Sequence, residues 1–121
     1  MLNQYTIHNE HLTVTINRLG AELCSVVNTN GTEFIWQAEP VWPRHAPNLF
    51  PIVGSLLDHE YIYKGKTYML AHHGFARNLS FDMLHQSEHS ICFVLLHSEE
   101  TLKSYPFILT FLVTYTLIEN R

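Results

Sequence analysis

The stretch "EYIYKGKTYML", Glu60 to Leu70, decides the fold class. Its tyrosines alternate along two short arms, and Lys64-Gly65 sits where a tight reversal is needed. That pattern predicts a β-hairpin, and the flanking sequence repeats it. Upstream, Leu12, Val14 and Ile16 alternate with Thr13 and Thr15, the period of two that turns one strand face to a core. "AELCSVVN" then leads into "NTNGTEFIW", where Asn30-Gly31 is expected to supply the positive φ angles of a second tight turn, with a strand on each side. Downstream, "LSFDMLHQ" and "SICFVLLHS" are separated by the polar Ser87 to His89 and read as antiparallel neighbours. "SEETLKSYPF" is the one plausible helical turn, stopped at Pro106. "FILTFLVTYTLIEN" has the β-branched and aromatic content of a strand buried on at least one face. About eight or nine short strands at this spacing predict an all-β fold, an antiparallel β-sandwich.

Two segments break the rhythm. Pro40, Pro43, Pro47 and Pro51 exclude a regular helix or a central strand after Trp36 and predict a long shaped loop. At the other end, the most hydrophobic strand has no obvious next neighbour, and an uncovered apolar edge invites a homo-oligomer through strand edges.

Composition narrows the function classes. A chain of 121 residues with 46% hydrophobic and 15% charged residues is expected to form one soluble domain, with no apolar run long enough to span a membrane. The net charge of -4 and seven scattered Lys or Arg residues leave no basic stripe, so no nucleic acid partner is expected. Met1 to Glu10 lacks the pattern of a secretory signal, and Cys24 and Cys92 show no CxxC spacing. They read as reduced core thiols of a cytoplasmic protein.

The densest chemistry is "AHHGFAR", Ala71 to Arg77. Nine histidines in the chain prompt a test for metal, but His8 and His11 lie three apart in an expected turn, and His85 and His89, though spaced HxxxH, flank another turn and do not share a helix. If His72 and His73 lie on a strand they point to opposite faces, so no metal is expected. No GxSxG and no glycine-rich phosphate loop is present. There remain "WPRHAPNLFPIVGSL" and "HHGFAR": arginine and histidine donors suited to sugar hydroxyls, with Trp36, Trp42 and Phe50 as candidate apolar faces for a sugar ring. Composition alone favours the reading that Arg44 and Arg77 are ordinary surface arginines and the aromatics are core.

Five segments in order, "LGAELCSV", "GTEFIWQ", "APNLFPIVGSL", "YKGKTYMLAHHGFARNLSFDM" and "YPFILTFLVTYTL", resemble the aldose 1-epimerase (galactose mutarotase-like) family, in its branch that carries HGFAR. The resemblance implies a β-supersandwich, here incomplete, with residues 1–121 forming its N-terminal portion. It implies interconversion of the α and β anomers of a free aldose, a small-molecule hexose partner, and no cofactor. Ring opening needs a base at the anomeric hydroxyl and an acid at the ring oxygen. The family's His and Arg of the sugar-binding surface fall on His73 and Arg77, and the preceding contact position falls on His72. Arg44 lies near a substrate-contacting arginine of the sugar-phosphate branch, though its spacing to Pro47 differs. Ser55 stands where many relatives carry arginine.

The family's catalytic histidine and glutamate belong to motifs this sequence does not contain, so no catalytic residue is assigned. Lacking two contributions of roughly 10²–10⁴-fold each, the chain is expected to be weak or inactive alone. The alternatives are a noncatalytic carbohydrate-binding half-domain and a structural remnant that oligomerises.

Overall fold

In the computed structural model, which describes residues 2–121, alternating sequence becomes alternating burial. Strand β1 (Gln4–His8) buries Tyr5 and Ile7, β2 (Leu12–Asn17) buries Val14 and Ile16, and β3 (Glu22–Asn28) completes an antiparallel sheet in the order β1-β2-β3. A separate two-stranded hairpin follows, β4 (Glu60–Tyr63) and β5 (Lys66–Met69). The second sheet is β6 (Asp82–Gln86), β7 (Ser90–Leu96) and β8 (Thr110–Thr116), antiparallel in that order. One helix, α1 (Glu99–Ser104), links β7 to β8.

The inner faces of the two three-stranded sheets meet in one core. Tyr5, Ile7, Val14 and Ile16 from the first pack with Ile91, Phe93 and Leu95 from β7, and Phe81 is fully enclosed with them. The Tyr5 and Phe93 rings meet edge to face at 5.6 Å across the sandwich. Among the described residues no helix is long and apolar enough to cross a membrane.

Several expectations hold in detail. The β4–β5 turn is Lys64-Gly65 with φ of 48° and 75°, the two left-handed residues of a type I′ turn, and Tyr61 stacks on Tyr68 across the hairpin. Helix α1 starts where expected because Ser98 and Thr101 form a reciprocal capping box. Cys24 and Cys92 are buried free thiols.

Others are corrected. The strand expected over "TEFIW" does not form. Glu33 makes a single bridge to Val27, and its carboxylate takes the Ser25 hydroxyl and the Val26 and Ile35 N–H groups, so a side chain occupies the edge that a strand would have filled. At Asn30-Gly31 only Gly31 has positive φ, 82°. Asn28 closes that turn by accepting the Asn30 and Thr32 N–H groups at its side chain. Strand β1 was not anticipated, although "QYTIH" carries the same alternation as β2. Phe50 is not a surface platform: it stacks on Phe111 at 4.6 Å and meets Phe75 and Tyr105 edge to face. His72 and His73 follow β5 in a turn rather than on a strand, and their rings lie side by side with centroids 3.7 Å apart.

Candidate functional site

The site forms where the proline-rich loop crosses the turn after β5. Phe50 is the hinge of that crossing: its carbonyl accepts the N–H groups of Phe75 and Ala76 at 3.0 and 3.1 Å, and Phe50 pairs with Gly74 in a parallel bridge. The two segments come so close that a Cβ at Gly74 would clash with the Phe50 carbonyl oxygen. Glycine is required there by contact as well as by its φ of +71°. The rest of the motif then has a reason for each letter. Phe75 joins the aromatic cluster around Phe50, Ala76 is fully buried, and the Arg77 backbone rests against Gly20, where a Cβ would meet the Arg77 oxygen at 2.9 Å.

This crossing presents His73. Its own φ is +61°, uncommon for a residue with a side chain, and two bonds to Gly54 hold it. The His73 N–H donates to the Gly54 carbonyl at 2.8 Å, and the Gly54 N–H donates to His73 Nδ1 at 2.7 Å. A backbone amide can only donate, so Nδ1 accepts, and the neutral ring carries its proton on Nε2. No group among the described residues engages Nε2. Loss of solvent around the ring, then repulsion from His72, Arg77 and Arg44, pushes the imidazole below its ordinary value and favours the neutral form.

The other residues named from sequence gather here. His72 is exposed, and its Nδ1 lies 2.6 Å from the Ser55 hydroxyl. Arg77 is half-buried, donates from Nη2 to the His72 carbonyl at 3.3 Å, and leaves Nε buried with no partner. Arg44 donates to Asn78 Oδ1 at 3.0 Å, and it is close enough for its charge, after burial, to help push the Arg77 guanidinium down. Trp36 and Trp42 are exposed, with the Trp36 indole tied to the Trp42 carbonyl at 2.8 Å.

Three supporting residues escaped sequence reasoning. Gly54 fixes the His73 ring, Asn78 orients Arg44, and Asn48 anchors the loop by donating to the Gly20 and Ala21 carbonyls at 3.0 and 2.9 Å. Only Gly54 carried a signal, as the glycine of "FPIVGSL". Among the described residues no cluster of three or more His, Cys, Asp or Glu side chains is arranged for a metal ion. The arrangement can donate hydrogen bonds, from Nε2 and two guanidiniums, to an oxygen-rich ligand. Among the described residues no carboxylate hydrogen-bonds His73, and the imidazole of His72 is the titratable group packed against it.

Comparison with known proteins places these features in a wider set. The family model described as aldose 1-epimerase matches residues 3–121. Protein LacX of Lactococcus lactis is 37% identical over 117 residues, which is 92% of this chain and 39% of that protein. The galactose mutarotase related enzyme of Lactobacillus acidophilus is 51% identical with a TM-score of 0.95, over 97% of this chain and 40% of that one. A galactose mutarotase-like protein from Lactobacillus casei is 39% identical with a TM-score of 0.92, over 96% and 40% respectively. The chain thus spans about 40% of the length of these relatives.

Proposed function

Because this chain belongs to the aldose 1-epimerase family, we propose that its site is one wall of a sugar pocket, binding a free aldose in the setting of anomer interconversion. His73 Nε2–H donates to a sugar oxygen, Arg77 and Arg44 donate to neighbouring hydroxyls, and His72 with Ser55 offers a further polar contact. No cofactor takes part. The reading rests on the bond from Gly54 N–H to His73 Nδ1, which leaves Nε2–H as the free end of a fixed donor.

The same bond limits the chemistry. A base must accept a proton, and the one imidazole nitrogen with a free lone pair, Nδ1, is already taken by a backbone amide. His73 therefore binds and orients through Nε2–H and does not serve as the base. This favours the carbohydrate-binding reading over base catalysis by His73. A cytoplasmic setting suits a pocket for free metabolic sugars and two reduced cysteines.

Titration calorimetry with glucose and galactose tests the proposal. Saturable heat that falls at least tenfold in affinity in Arg77→Ala supports it. No heat with either hexose, or affinity indifferent to Arg77, overturns it.

A further inference from the structure

Among the described residues two polar side chains are buried, Thr101 and Glu22. Thr101 closes the capping box of α1, which accounts for it. Glu22 opens β3 at 9% exposure, and among the described residues no lysine, arginine or histidine forms an ion pair with it. Taking a carboxylate out of water is costly, and a hydrogen bond must offset that cost. The bond goes to the proline-rich loop: Glu22 Oε1 accepts the His45 N–H at 2.9 Å.

The segment held in this way is short and stiff. Pro43 and Pro47 fix φ on either side of Arg44, His45 and Ala46. Ala46 bridges antiparallel to Leu23, and Asn48 donates to the Gly20 and Ala21 carbonyls, so consecutive residues from Gly20 to Leu23 carry the loop from His45 to Asn48. The His45 N–H belongs to the same planar peptide unit as the Arg44 carbonyl, so a bond to that N–H sets the direction in which the chain leaves Arg44. The Arg44 guanidinium then reaches Asn78 Oδ1 at 3.0 Å, beside Arg77.

We propose that Glu22 is the positioning residue of Arg44: its carboxylate fixes the Arg44–His45 peptide plane and thereby aims the guanidinium into the site. That the site receives sugar rests on the reading above, whereas the aim of Arg44 does not. The imidazole of His73 reports that aim. After loss of solvent and the charges of His72 and Arg77, Arg44 also helps hold His73 below its ordinary value. Releasing Arg44 therefore raises the His73 midpoint, whereas deleting a nearby negative charge would lower it. The opposite signs separate positioning from a direct effect of the Glu22 charge.

Titration of the His73 ring by long-range ¹⁵N–¹H spectra tests this in Glu22→Met, Glu22→Gln and Arg44→Ala, with circular dichroism as the fold control. Methionine fills the buried volume without an acceptor, and glutamine keeps the acceptor without the charge. The midpoint is expected to rise in Glu22→Met as it does in Arg44→Ala, and to stay at the parent value in Glu22→Gln. Should Glu22→Met fail to fold, Glu22→Asp decides: it keeps the charge, falls one methylene short of the His45 N–H, and is expected to raise the midpoint too. A midpoint that stays or falls in the deciding variant, or that rises equally in Glu22→Gln, overturns the proposal. No sugar enters the measurement, so its failure is distinct from a failure of hexose binding.

Discussion

Gly54 and His73 hold each other by two hydrogen bonds, amide to imidazole at 2.7 Å and amide to carbonyl at 2.8 Å. One residue without a side chain thus fixes the tautomer, the ring plane and the left-handed backbone of the central imidazole of the site.

Protonation of His73 Nδ1 would set an N–H against the Gly54 N–H. The folded value lies below 6.5, so as pH falls the unfolded chain takes up this proton first. The stabilisation is complete above about pH 6.5 and is lost as pH drops through the folded value. Asparagine tolerates positive φ and does not titrate, so His73→Asn is expected to flatten this part of the profile. Urea midpoints of the two proteins measured from pH 7.5 down to about 4.5 check it.

Gly74→Ala is expected to cost about 3 kcal/mol or more, since the new Cβ meets the Phe50 backbone as well as a left-handed φ. Gly31→Ala, in open space at φ +82°, is expected to cost only about 1 kcal/mol. Equal losses in chemical denaturation would refute the close crossing of loop and turn.

Burial raises the Glu33 carboxyl, but the Ser25 hydroxyl and the Val26, Ile35 and Phe34 amides outweigh it and hold it below 4.5. The stability it contributes is therefore present above that value and is lost as pH falls through the folded one. Glu33→Ala is expected to cost about 2 kcal/mol at neutral pH and to cost less under acid conditions. Thermal unfolding at both pH values reads the difference.

Burial first, then the nearby Glu22 and Glu33 charges, push the Cys24 thiol up, and Cys92 is buried on β7. Both are expected to resist a thiol reagent at pH 8 and to react together on unfolding. Rapid native labelling of Cys24 would contradict its place in the sheet.

The alternation in β2 and the Lys64-Gly65 hairpin were legible in sequence because each depends on neighbours a few residues apart. "TEFIW" reads as a strand by composition, yet it lost its edge to the side chain of Glu33, a competition that propensity does not contain. Phe50 looked like a sugar platform because an aromatic in a loop does not announce which side of the chain is core. At the site, His72, His73, Arg77 and Arg44 were named from sequence, and the structure brings them together. Asn48 and Asn78 were not named, because an amide that braces a distant carbonyl or guanidinium leaves no local pattern.

Long-range ¹⁵N–¹H correlation spectra of the His73 imidazole, recorded with and without glucose or galactose, test the account most directly. An unprotonated Nδ1 and an Nε2–H signal that moves saturably with hexose are predicted. A proton on Nδ1 in the neutral ring, or an Nε2–H signal unmoved by either sugar, would contradict it.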